Sequence, residues 1–156
     1  MSRPDLPISF EALAPASRTD GADAQEYAAR PDVREEDLRP ILINFYERVG
    51  SDDLLRPYFA DVDMDAHMST IVDFWSTMVF QTRRYSGNAF KPHLDMPGLT
   101  HAHFARWLAT LNLTVDDEFA GPHAERMKDL GQRVAYSMQI RLGISPAMDP
   151  RADVAE

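Results

Sequence analysis

The 156-residue chain contains no cysteine. That excludes disulfides, thiolate zinc sites and a cysteine nucleophile, and it suits a reducing compartment. No apolar run approaches the roughly 18 residues of a membrane-spanning helix. The opening MSRPDLPISF lacks the apolar stretch of a secretory signal, so a cytoplasmic protein is expected. Basic charge is also scarce. Sixteen Lys and Arg stand against 25 Asp and Glu, leaving a formal charge of -9 and a pI near 4.9. A surface of that sign repels phosphate backbones and anionic lipid, so neither nucleic acid nor membrane is an expected partner.

Familiar catalytic signatures are missing too. There is no glycine-rich phosphate loop, no GxSxG and no HExxH. The carboxylates of REED, SDD and VDDE fall at predicted helix starts or turns, where caps and solvated faces explain them better than acid–base pairs. No strand alternation and no two-residue hairpin turn is visible.

What the chain does have is helical period. In EEDLRPILINFYERVG the residues Leu38, Ile41, Leu42, Phe45, Tyr46 and Val49 form one continuous stripe that stops at Gly50. A short piece follows, with Ser51 as its expected cap and Pro57 as a breaker. The next helix is expected over residues 63–84, with His67, Ile71, Phe74, Trp75 and Met78 on one face. Thr100 is placed to cap a helix over 101–113 that carries Phe104, Trp107, Leu108 and Leu111. A last helix over 124–143 aligns Met127, Leu130, Val134, Met138 and Leu142. The fold class expected is all-α. Residues 1–33, broken by Pro4, Pro7, Pro15 and Pro31, read as a flexible extension. Residues 34–143 read as the folded domain and 144–156 as a tail. At this size one domain with a sizeable core is expected.

Five histidines remain to be placed. His101, His103 and His123 lie in or beside helix first turns, where solvated side chains are expected. His101 and His103 are two apart and make a poor chelating pair. His67 shares its face with the largest apolar side chains, so it is either a satisfied boundary residue or a polar group aimed into an apolar pocket with Tyr46. His93 belongs to no stripe. It sits in the proline-flanked run NAFKPHLDMP, either exposed or, as neutral imidazole, an iron ligand.

Five fragments in order, NFYERV, LLRPYF, AHMSTIVDFW, YSGNAFKPHLDMP and HFARWLATL, together resemble the truncated haemoglobins, and the third group of that family in particular. The Gly-Gly pairs typical of the first two groups are absent. The resemblance implies a two-over-two helical sandwich holding haem b, iron protoporphyrin IX. It makes His93 the proximal iron ligand, with Tyr46, His67 and Trp107 on the distal side and Ile71 and Trp75 packing the distal wall. By the same resemblance Phe59, Tyr85 and Phe90 line the haem, and Lys91 is a candidate partner for a haem propionate.

Such a site implies binding of dioxygen, nitric oxide or another diatomic gas. The outer atom of held dioxygen gathers negative charge, which phenol, indole and imidazole donors can meet. Each charge-assisted bond is worth about 1.5–3 kcal/mol, or roughly tenfold to a hundredfold in dissociation. Several such donors suit slow release, or nitric oxide detoxification and peroxidase-like chemistry served by a reductase, better than oxygen transport. Two alternatives stay open from the residues alone. One is a cofactor-free helical sensor or interaction module, and the other is a non-haem metal site using His67 and His93.

Overall fold

The computed structural model describes residues 29–87 and 96–144. The expectations for residues 1–28, for Phe90, Lys91 and His93, and for the tail from 145 lie outside them. Among the described residues the chain forms four α-helices and no strand: α1 (Leu38–Gly50), α2 (Met64–Phe80), α3 (His101–Glu118) and α4 (Pro122–Arg141). Short 3-10 turns, Glu35–Asp37 and Arg56–Tyr58, precede α1 and follow it. None of these helices is long and apolar enough to cross a membrane.

Helix α1 packs on α2, and α3 packs on α4. The two pairs are joined because α1 also meets α3 and α2 meets α4. The result is a two-over-two sandwich. Its core follows from the sequence stripes: Leu38, Leu42, Phe45 and Val49 of α1 are fully buried against Trp75, Leu111 and Met127. Removing that much apolar surface from water, at about 25 cal/mol per Å², is the main favourable term holding the helices together. Glycine permits one close approach. A Cβ at Gly131 would lie 2.4 Å from Leu111 Cδ2, so any larger residue there would force the buried Leu111 side chain to shift.

Several boundaries differ from those read in the sequence, each for a local reason. Helix α2 ends at Phe80 rather than at residue 84. Gln81 takes a left-handed conformation (φ 60°), and the chain turns back so that Tyr85 N–H donates to Thr77 Oγ1 at 2.8 Å. Arg84, expected in the helix, instead meets Glu35, which also accepts from the buried Ser76 hydroxyl. Ser51 does not cap the short piece. Asp52 does, accepting from the backbone N–H of Leu54 and Leu55 at 3.0 Å each while pairing with Arg106. Helix α3 runs on to Glu118, and α4 starts at Pro122, a first-turn position that suits proline.

Arg30 to Val33, read as the end of an extension, are seated on the helical unit. Arg30 bonds to the Asp116 carbonyl, Pro31 accepts from Ala120 N–H at 2.9 Å, and Val33 is buried. Asp32 caps α4 from outside that helix, accepting from the backbone N–H groups of His123 (3.0 Å) and Ala124 (2.9 Å). Burial makes the carboxyl a weaker acid, but these donors, Val33 N–H and the nearby His123 outweigh it, and its pKa is held below the ordinary range. The arrangement needs Gly121. Its φ is 140°, and a Cβ there would fall 2.6 Å from Asp32 Cγ.

Candidate functional site

A cavity of about 530 Å³ opens between the two helix pairs. Its lining is almost wholly apolar and carries no Asp, Glu, Lys or Arg among the described residues. Helix α1 contributes Tyr46, which packs against the buried stripe of that helix. The loop after the 3-10 turn contributes Phe59, α2 contributes His67, Ile71 and Trp75, and α3 contributes Trp107. Tyr85 closes one side, its ring edge-on to Phe74 at 5.3 Å. These seven side chains are brought together from five separate stretches of sequence.

Helical spacing explains their convergence. Residues 67, 71 and 75 are successive i+4 neighbours on one face of α2, so burial deepens along that line. Trp75 is buried, Ile71 half-buried and His67 exposed at the cavity rim. On α1, Tyr46 packs between the rings of Phe45 (4.6 Å) and Phe59 (5.8 Å), and Phe45 meets Trp107 edge-on at 5.5 Å. This aromatic nest fixes the phenol and the indole relative to each other.

The electrostatics of that nest are specific. Burial pushes the Tyr46 phenol up to about 12, while the Trp107 indole, acting as donor toward the phenol oxygen, pulls the other way. Tyr46 therefore keeps its O–H as a donor for whatever occupies the cavity. Trp107, expected from the resemblance to donate to the same ligand, also acts on the Tyr46 phenol, favouring its oxygen as an acceptor. A pH dependence follows. The unfolded chain ionises this phenol near pH 10 and the folded chain near pH 12, so the stability linked to it is fully present below about pH 10 and is lost as pH rises toward 12. Denaturation midpoints at about pH 9 and pH 11 should fall further for the wild type than for Tyr46→Phe; equal losses would show that the phenol titrates as if exposed.

Sequence reading missed part of the lining. Met96, Leu99 and Ala135 contribute from the stretch before α3 and from α4, and Phe104, Val134 and Met138, read as helix stripe, face the cavity as well. The three histidines expected to be solvated all have partners. His101 Nδ1 meets Gln139 Oε1 at 2.8 Å, and Gln139 is itself buried on α4. His123 lies against Phe80 and within 3.3 Å of Asp32. His103 lines the cavity and closes a capping box with Thr100. A histidine in the third helical position can do what glutamate usually does there, and that was the available signal. Among the described residues no group of three His, Asp or Glu is placed to hold a metal ion.

An all-helical two-over-two sandwich around one apolar, aromatic-lined cavity is the truncated globin fold. No family model matches the chain. In sequence it is 29% identical over 96 residues to the Group 3 truncated hemoglobin ctb of Campylobacter jejuni, spanning 55% of this chain and 76% of that protein. In structure it matches the crystal structure of a group III truncated hemoglobin from Campylobacter jejuni. The TM-score is 0.64 at 25% identity, covering 70% of this chain and 91% of the other. The resemblance read from the five fragments thus holds in both sequence and fold, and the chain has the fold of a truncated globin.

Proposed function

We propose that this globin binds haem b in the described cavity and uses it to hold dioxygen or nitric oxide reversibly. The observation that carries the reading is the Tyr46–Trp107 pair set in a largely apolar cavity. Its lining suits a flat macrocycle, with Phe59, Ile71, Phe74, Phe104 and Met138 offering apolar contact and no fixed charge opposing it. The names of the relatives, both haemoglobins, point the same way. His93 is the proposed proximal ligand. Haem iron held from one side by an imidazole supplies reversible binding of a diatomic gas and one-electron redox chemistry.

The chain's own residues set the terms of that binding. Tyr46 donates its O–H to the negative end of the gas, and Trp107 aligns the phenol by donating to its oxygen. Trp75 and Ile71 keep bulk water from the donor, which strengthens the bond in the low-dielectric interior. His67, at the rim, stands where a gas molecule must pass and acts as a gate or as a second donor. Slow release favours a further role in consuming nitric oxide or peroxide with the help of a reductase, since Tyr46 would also polarise an O–O bond. The test is rapid mixing of the haem-loaded ferrous protein with dioxygen and with carbon monoxide. Reversible spectral changes with both gases support the reading; a ferrous spectrum that neither gas alters overturns it.

A further inference from the structure

His103 is the one imidazole lining the cavity whose tautomer the backbone fixes. Its Nδ1 lies 3.1 Å from Thr100 N and accepts that N–H, with Thr100 Oγ1 at 2.9 Å. A nitrogen that accepts cannot carry the proton, so the proton sits on Nε2 and points away from the cap. The ring is held edge-on against Tyr58, whose centroid is 5.3 Å away, and Tyr58 is tied in turn by donating its hydroxyl to the Pro97 carbonyl at 2.7 Å. Neither ring can swing freely. Nε2–H has no acceptor among the described residues.

The other polar groups of the lining are committed or unanchored. Tyr46 and Trp107 are held in the aromatic nest with Phe45 and Phe59, and Tyr58 donates to the Pro97 carbonyl. His67 and Thr70 are exposed, with no bond holding their side chains in place among the described residues. The deep end of the cavity, with Trp75, Leu55, Phe104 and Met138, is buried and apolar, so a charged edge of any ligand must lie at the half-exposed rim. His103 stands at that rim, in the first turn of α3, where the positive end of the helix favours an anion.

Resting on the haem reading above, we infer that His103 Nε2–H holds a carboxylate of the tetrapyrrole, making it a haem-positioning residue with a second job as helix cap. One side chain then sets both the start of α3, which carries Trp107, and the seat of the cofactor.

The two jobs separate by substitution. His103→Asn keeps an acceptor where Nδ1 lies but has nothing at Nε2; His103→Gln keeps a donor near Nε2 and loses the cap. Each form is loaded with haem or with haem dimethyl ester, which lacks free carboxylates, and cofactor loss to excess apomyoglobin is timed. In the wild type the ester should leave about tenfold faster, the scale of one charge-assisted hydrogen bond. In His103→Asn that ratio should collapse by at least threefold, because native haem now leaves nearly as fast as the ester. His103→Gln should retain the ratio. An unchanged ratio in His103→Asn, or a collapse in His67→Asn instead, overturns the inference while leaving the haem reading intact. Failure of every form to take up haem overturns the haem reading and this inference with it.

Discussion

Replacing His93 with alanine should yield a helical protein that holds haem weakly and without its normal absorbance. Partners that merely orient a metal ligand are worth roughly 10–100-fold in affinity, so loss of the ligand itself should cost more than that. The fold should survive, because the buried stripes of α1, α2, α3 and α4 close on one another without the segment that carries His93. Circular dichroism unchanged from wild type, with haem content reduced and partly restored by added imidazole, is the expected pattern. Restoration matters because free imidazole can occupy the place the side chain vacated. If the variant binds haem with the wild-type spectrum and retention, another residue ligates the iron. His67 and His103, which line the cavity, would then be the residues to substitute next.

The second large effect is on release of the gas. Tyr46→Phe removes the O–H while keeping the ring among Phe45, Phe59 and Trp107, so packing should change little. Loss of one buried, charge-assisted hydrogen bond costs about 1.5–3 kcal/mol, and dioxygen should leave roughly tenfold to a hundredfold faster. Trp107 acts differently. Its indole acts on the Tyr46 phenol, so we expect it to support the phenol rather than add an independent donor. Trp107→Phe should therefore speed release less than Tyr46→Phe does. The double variant should be no faster than Tyr46→Phe alone, a non-additivity expected of groups in one network. Stopped-flow displacement of dioxygen by carbon monoxide reads all three rates. A Tyr46→Phe rate within twofold of wild type would reduce the phenol to packing.

The helices and their inward faces were legible because burial follows period. Leu38, Ile41, Leu42, Phe45 and Val49 could be read as one buried face before any neighbour was known. The same period put His67, Ile71 and Trp75 on one line of α2. Less legible were features that depend on residues far apart in sequence. Nothing local announces that Asp32 caps a helix beginning at Pro122, or that Arg84 leaves α2 to meet Glu35. These are tertiary pairings, and the propensity of a short window cannot contain them. His101 and His103 show the same limit on a smaller scale. Both looked solvated, yet one reaches Gln139 on α4 and the other faces a cavity that exists only once Tyr58 and α4 are in place. The site itself was legible mainly through resemblance, since its donors come from three helices and their roles depend on what lies between them.

The nearness of Trp107 to Tyr46 is the clearest addition from the structure. The resemblance implied two donors in one pocket, and the aromatic nest around Phe45 holds both of them, with the indole acting on the phenol.

The most direct test of the central claim is titration of the cofactor-free 156-residue chain with hemin, followed by absorbance and by quenching of the two tryptophans, Trp75 and Trp107, both of which line the cavity. Saturation at one haem per chain, with a Soret band and loss of tryptophan emission at the same equivalence point, is the predicted result. Hemin absorbance that stays that of the free compound, with tryptophan emission undiminished, would contradict it and leave a helical module that works without a cofactor.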